Sequence, residues 1–560
     1  MYPSRPLLPR DLVGCRYAVH QRTRWPHAAP TEATLRRAGR AAAVRDDVFA
    51  LLPDKPAPGE PGAFRRIDID AWLIADGLGE PEVLPVHLPG AQGHTATPTP
   101  IRESETATPS TTETAETLEE AATRWWFGQA YTLEAMAAGA TIITGARLSV
   151  TVDGQEFQLA IDVLVKNGDT YLPVLLSQHR VARPHAGASQ LLIGTKRLGL
   201  AAPVRGPWKM KHHAHDGYRI ALAGLALTSL GFTCPHVAVI GQDKTRAFLV
   251  NPVDYERALH GAIAVAIPNH PQRVKQCASC RFFFDCGPKL HQLDDISLVL
   301  PGQKAAPYRE AGITTVDQLS RINDSNGRKA RAWQQGITAY LRTDAQLPPL
   351  RDIEIDVDVE SYLDRGAYLW GAFDGREYRS FHTFQGLGQP HEASAFAQFW
   401  DYISTTITTA TAAGNTVGVY CFAAGGENHW LRSQAARFGG ITTAEGLTCP
   451  DTATIEEFIA SPYWIDVFSQ VKRCLDSPEG LGLKIVAPLA GFHWDSDDID
   501  GERSLHYYRI ARGFITDPQL TADDAQQLLI SYNRGDVRAT SAVRHWLHAG
   551  APGIPHEQQI

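Results

Sequence analysis

Residues 351–363 read RDIEIDVDVESYL. Ile353, Ile355, Val357 and Val359 alternate with Glu354, Asp356, Asp358 and Glu360, the period of two that marks a strand. We expect that strand over Glu354–Val359. Residues two apart on a strand share a face, so Asp358 and Glu360 point the same way at its end. Two carboxylates so placed can clamp divalent ions a few Å apart, the arrangement a two-metal phosphodiester hydrolase uses. Asp356 lies on that face too, and is expected either to share the site or to be exposed near the strand end. Further strands are expected at Tyr368–Phe373 and Val417–Phe422, the latter running into a helix near Glu427, and a last helix at Ala522–His548. Strands alternating with helices from Asp352 onward predict an α/β architecture.

Within the last helix, ISYNRGDVRAT (530–540) sets Tyr532 and Asp536 one turn apart on one face. The pair Asp-x-Glu on a strand and Tyr-x3-Asp on a helix resembles the DnaQ-like exonucleases of the four-acid type with an auxiliary Tyr; position 531, where a His variant would carry its base, is Ser. The run DVDVES…YLWGAF…YNRGDVRAT, spanning about 350–550, resembles the YprB-type RNase H-like domain found fused to RecB-like domains. The resemblance implies one more acid after a strand and at the start of a helix. VGVYCFAAGGENHWL supplies Glu427 there, where most of that superfamily has Asp; Asp466, in YWIDVF, competes and is read either as a carboxylate that supports the ligands from behind or as a structural one. By this resemblance Asp358, Glu360, Glu427 and Asp536 would hold Mg²⁺ or Mn²⁺, Tyr532 would orient the attacking water, and the chemistry would be 3′–5′ exonucleolytic.

A second constellation lies upstream. QCASCRFFFDCGP (276–288) gives Cys277, Cys280 and Cys286 as C-x2-C-x5-C, and the remote Cys15 in LVGCRY is the candidate fourth thiolate. Zinc sites more usually show two C-x2-C pairs or added histidines; three close cysteines and one remote one suit the four corners of a [4Fe-4S] cluster, with zinc as the alternative. The pattern resembles the iron–sulfur variant of RecB-like nucleases, as in AddB and the CRISPR-adaptation exonucleases. It implies a restriction-endonuclease-like domain over 1–290 whose two ends the cluster staples. Cys234, Cys421, Cys449 and Cys474 lack such spacing and are read as small buried hydrophobes.

That family needs an Asp, then Glu-x-Lys on the next strand, then Gln-x3-Tyr on a helix. Here the Asp is Asp162, but the later positions are Leu175, Ser177, Arg219 and Ala223, and GRAAAV (39–44) offers no His. Nothing in the spacing of Asp169, His179 or His185 makes them substitutes. The domain is therefore expected to be catalytically dead and to guide the strand, with Asp162 a strand-end carboxylate in a turn. Its strands are expected at Thr141–Val152, Glu156–Val165 and Tyr171–Leu176, with Asp153-Gly154 and Asn167-Gly168 as hairpin turns. Helices are expected at Thr31–Leu52, Leu118–Ala138 and Tyr218–Leu230, and a strand with a short helix at Ile67–Leu78. A small helical connector over 291–345 resembles a helix-hairpin-helix, with only Gly302 where two glycines are usual.

Length and composition fit this picture. At 560 residues the chain is too long for one core, and 44% hydrophobic with 20% charged residues excludes collagen, coiled coil and wholesale disorder. The formal charge of -8 argues against coating long duplexes through a basic surface and leaves room for a local groove or an acidic metal site. The apolar run Ile220–Leu230 is about half a membrane span, so no membrane partner is expected. Eight sparse cysteines and no secretory leader predict a cytoplasmic protein with reduced thiols. The Thr-, Pro- and Ser-rich stretch at 89–117 reads as a flexible insertion. The expected partners are single-stranded DNA or RNA ends, with a helicase or repair complex as a further possibility. The competing reading is a non-catalytic nucleic-acid-binding subunit of a repair or recombination complex; a zinc-stapled adaptor without nucleic acid is a third.

Overall fold

The computed structural model describes residues 6–56, 64–78, 118–363, 365–495 and 501–560; the insertion expected at 89–117 lies outside them. The described residues form two compact units, one ending at Ser297 and the other running from Leu298 to Ile560. Both are mixed α/β.

The first unit is built on strands β1 (Arg66–Asp68), β2 (Ile142–Val152), β3 (Gln155–Asn167), β4 (Thr170–Leu176), β5 (Ala182–Pro184), β6 (Gln190–Gly194), β7 (Val204–Gly206), β8 (Trp208–Met210), β9 (Val237–Ile240) and β10 (Arg246–Val250). Eight of them form one sheet in the order β1-β2-β3-β4-β9-β10-β6-β7, and β5 pairs with β8. The β2–β3 turn is Asp153-Gly154, both residues at positive φ, the type I′ geometry Asp-Gly favours. The β3–β4 turn sits one residue later than expected. Asn167 pairs with Thr170, so the loop is Gly168-Asp169, with Gly168 (φ +63°) taking the first, left-handed position that glycine adopts most readily.

The helix Ala214–Ser229 buries Ile220, Ala221, Leu222, Ala223, Ala226 and Leu227 against this sheet. It starts before Tyr218 because its polar first turn is anchored: Asp216 is buried and accepts a hydrogen bond from Ser177. No helix among the described residues is long and apolar enough to cross a membrane.

The second unit opens with short helices, Ala306–Glu310, Val316–Ser320 and Ser325–Gln334. Its strands are β11 (Tyr340–Leu341), β12 (Ile353–Tyr362), β13 (Gly366–Phe373), β14 (Tyr378–His382), β15 (Val417–Cys421), β16 (Trp464–Asp466) and β17 (Leu475–Asp476). The main sheet runs β14-β13-β12-β15-β16: β12, β13 and β14 are antiparallel, whereas β15 and β16 join parallel to β12. Ile355, Val357, Trp370, Phe396, Phe399, Val419 and Leu431 lie in one apolar core on this sheet. The C-terminal helix Ala522–His548 packs on β12 and β13.

Asp356 corrects an expectation. It is neither a member of the acidic site nor exposed. It is fully buried, and Arg544 of the C-terminal helix reaches it through Nη2 at 2.9 Å and Nε at 3.2 Å. The same guanidinium meets Glu354 at 2.6 Å and stacks 4.0 Å from the Tyr420 ring centroid. A carboxylate placed mid-core is tolerated only when so paired.

Candidate metal centre

Strand β15 pairs with β12 only as far as Asp356↔Tyr420, so Asp358 and Glu360 project beyond the last residue that β15 covers. On the other side β13 continues the ladder, with Asp358 opposite Gly371, and the register slips between Glu360 and Ser361. A bulge of this kind re-aims side chains at a strand end. The C-terminal helix then brings Asp536 across. One carboxylate oxygen from each of Asp358, Glu360 and Asp536 lies within 4.8 Å of the others, the one such acidic, His or Cys group among the described residues.

Glu427 stands in the first turn of the helix Gly425–Phe438, where a backbone N–H end favours an anion. It lies outside the 4.8 Å group but close enough that its charge raises the pKa of both Asp358 and Glu360. Asp466 is a structural carboxylate: it caps the helix Val467–Cys474 through Ser469 and accepts the backbone N–H of Ala423 at 3.1 Å.

Electrostatics mark the cluster as short of positive charge. Burial, then the mutual repulsion of the acids, pushes Asp358 and Glu360 well above the carboxylate range. Asp536 is raised by burial, against the opposing pull of Lys484, Trp494 and Tyr532. Burial and then Asp466 push Glu427 up to about 7. Glu427 Oε2 is buried without a hydrogen-bond partner. Clustered oxygen donors that are costly to ionise alone, one of them with an unsatisfied buried oxygen, fit a hard divalent cation. Tyr532 is hydrogen-bonded to Asp536, and burial first, then the acids, holds its hydroxyl protonated.

Several groups around the acids escaped sequence reading. Asn533 donates to Asp358 Oδ2 at 2.7 Å and Trp494 Nε1 donates to Asp536 Oδ1 at 2.8 Å. Lys484 Nζ lies 4.0 Å from Asp536 Oδ1 and 3.7 Å from the Trp494 ring centroid. Beside them opens a cleft of about 230 Å³ lined by His493, Trp494, Tyr532, Arg534 and Arg538. One signal for Asn533 was available: it falls in the helix's buried stripe Leu529, Asn533, Val537, where an apolar residue would be expected.

The first unit arranges its residues otherwise. Asp162 is not a strand-end turn residue, as expected, but lies within β3, ion-paired to Arg219 at 2.8 Å and accepting the Leu176 N–H at 2.8 Å. Arg219 also donates to the Leu176 carbonyl at 2.7 Å. Leu175 and Ala223 are buried apolar residues, while Ser177 donates to Asp216. His179 stacks on His213 at 4.1 Å, Asp169 sits in the β3–β4 turn, and His185 is exposed. Cys15 feels the charge of Cys277, Cys280 and Cys286, so all four thiols are neighbours. Cys15, Cys280 and Cys286 pack with Tyr17 and Phe282, and no cysteine of the chain is in a disulfide. Burial pushes the Cys15 thiol up to about 11. Cys421, Cys449 and Cys474 are buried in the second unit, and Cys234 is half-buried.

Residues 443–548 match a family model described as RNase_H superfamily. The C-terminal unit carries an RNase H-like domain. The match includes Tyr532 and Asp536, whereas β12 and Glu427 lie before it. Domains of the RNase H-like superfamily are typically metal-dependent nucleases, so the matched segment suggests nuclease-type activity on a nucleic acid. No curated protein matches the chain.

Proposed function

We propose that the chain is a metal-dependent nuclease acting on nucleic-acid ends, with 3′–5′ exonuclease chemistry in the second unit. The observation that carries this reading is the convergence of Asp358, Glu360 and Asp536 within 4.8 Å, with Glu427 beside them, in a unit with an RNase H-like domain. These four acids would hold Mg²⁺ or Mn²⁺, which supply charge stabilisation to the phosphate and a nucleophilic water. Tyr532, through its contact with Asp536, orients that water and remains a hydrogen-bond donor because its own proton is held. Trp494 fixes Asp536 with a neutral N–H, and Lys484 beside them offers a positive charge to a phosphate. Arg534 and Arg538, exposed along the adjoining cleft, suit the backbone of a single strand.

The first unit is proposed to be a degenerate RecB-like domain that guides the strand, since a guanidinium already balances Asp162. Its cysteines are proposed to hold a [4Fe-4S] cluster. Four thiols meet there, Gln21 Nε2 donates to Cys286 Sγ at 2.9 Å and the Val274 N–H to Cys277 Sγ at 3.4 Å, which are the bonds that tune cluster sulfurs. Aerobic and anaerobic preparations compared by absorption near 400 nm test the cluster.

The nuclease is tested with end-labelled single-stranded DNA and RNA, Mn²⁺ or EDTA, and Asp358→Ala as control. Metal-dependent laddering from one end, lost in the variant, is the expected result. An intact protein that binds strands and never cuts them would overturn the reading in favour of a binding platform.

A further inference from the structure

A carboxylate that must receive a metal ion needs a partner that fixes it without neutralising it. A lysine or arginine would compete with the ion; an amide N–H orients the carboxylate and leaves its charge in place. Asp358 has such a partner in Asn533, which is fully buried.

The carboxamide is clamped at both ends. Its Nδ2 donates to Asp358 Oδ2 at 2.7 Å, and its Oδ1 accepts the Tyr378 hydroxyl at 2.8 Å. Burial, then the neighbouring acids, holds the Tyr378 proton on its oxygen, so the hydroxyl can donate to the carboxamide oxygen while the amide nitrogen faces Asp358. The third wall is a vacancy. Gly371 is the cross-strand partner of Asp358, and a Cβ there would overlap Asn533 Oδ1. The C-terminal helix, β13 and β14 thus each give one feature to a single slot.

We propose that Asn533 is a positioning residue for the metal centre: held by Tyr378 in a slot that Gly371 leaves open, it sets the aim of Asp358 toward a divalent cation. This rests on the reading of the acid cluster as a metal site, and the test separates the two.

Mn²⁺ binding to the chelator-stripped full chain is measured by titration calorimetry, counting only the binding that Asp358→Ala abolishes, with thermal midpoints recorded alongside. Asn533→Ala is expected to weaken that binding on the order of tenfold or more, as loss of an outer-shell partner does. Gly371→Ala should weaken it similarly, by expelling the carboxamide. In the Asn533→Ala background, however, Gly371→Ala should cost much less than it does alone, because the carboxamide it would strike is gone and only the Tyr378 ring edge, 3.0 Å from the added methyl, stays close. Tyr378→Phe, which deletes one oxygen, should give a loss of a few-fold and keeps the question answerable where Asn533→Ala does not fold. A purely structural slot predicts lowered midpoints with unchanged Mn²⁺ affinity. That outcome overturns the inference and leaves the metal centre standing, as does strict additivity of the two substitutions. Absence of Asp358-dependent binding in the unaltered chain overturns both.

Discussion

Each unit of the chain sets an acid on a strand of its main sheet, and the two acids are treated in opposite ways. Asp162 on β3 meets an arginine at 2.8 Å and a backbone N–H, so its charge is cancelled inside the protein. Asp358 on β12 meets only uncharged donors in the asparagine and the Val359 N–H, while burial and then the neighbouring acids raise its pKa. A folded protein gains nothing by gathering like charges in a buried place unless something positive joins them. The first arrangement is complete without a ligand, whereas the second calls for one.

The strongest way to break this comparison is to remove one acid from each unit. Asp358→Ala should lower cleavage by roughly three orders of magnitude, since metal charge stabilisation is worth several kcal/mol and each tenfold is about 1.4 kcal/mol. Asp162→Ala should leave the rate unchanged. Equal losses in the two variants, read by end-labelled substrate assays, would place chemistry in the first unit and undo the contrast.

The arginines sharpen it. Arg544 is 1% exposed and pairs with a fully buried Asp356, whereas Arg219 is 15% and Asp162 21% exposed by side chain. Arg544→Met strands a carboxylate with no access to water and should cost about 3–5 kcal/mol. Arg219→Met leaves Asp162 partly hydrated and should cost clearly less. Denaturant titration of the two variants gives the comparison directly.

How far these features were legible follows from their range along the chain. Asp358 with Glu360, and Tyr532 with Asp536, are neighbours in strand and helix periodicity, so the sequence carries their faces openly. The α/β character and the glycine turns are local in the same sense. The bond between Asn533 and Asp358 joins residues 175 apart, and that between Arg544 and Asp356 joins residues 188 apart. Period two alone puts Asp356 on the same face as Asp358; only the arginine on a distant helix takes it out of the site. Asp162 was misplaced for the same reason, because Arg219 lies 57 residues on. Asn533 and Arg544 did leave a trace, as large polar residues at helix positions whose spacing places them on the buried, mainly apolar face.

The metal-free acids should also make stability fall as pH rises. Glu427 has its pKa raised from 4.5 to about 7 in the folded chain. Below pH 4.5 both folded and unfolded forms are protonated and there is no penalty. Between 4.5 and about 7 the unfolded chain ionises first, so the folded state holds more protons and loses stability with each step upward; above about 7 the loss is complete. Glu427→Gln should therefore stabilise the metal-free second unit at pH 8, by on the order of 3 kcal/mol, and have little effect at pH 4.5. Saturating Mn²⁺ should shrink that gain by stabilising the unaltered protein, because the ion takes the place of the missing positive charge. A Glu427→Gln chain less stable than its parent at pH 8 without metal would show that the carboxylate is satisfied from within, as Asp162 is.

The smallest effect concerns how the two kinds of site hold their acids. Trp494 gives Asp536 a neutral N–H, and its indole lies flat enough on the helix that a Cβ at Gly535 would come within 2.7 Å of its Cδ1. Trp494→Phe keeps most of the ring and removes the hydrogen. The ionised Asp536 then loses a bond worth about 1.5 kcal/mol, while Lys484 stays close enough to reach the carboxylate. If neutral donors serve to present the acids, the variant should bind Mn²⁺ roughly tenfold more weakly, with the deficit largest at low pH where protons compete best for Asp536. If instead Lys484 swings in to neutralise the acid as Arg219 neutralises Asp162, affinity should fall much further and become independent of pH. Calorimetric Mn²⁺ titrations at pH 6 and pH 8 distinguish these, and the second result would mean that one hydrogen bond is what keeps the C-terminal site from closing on itself.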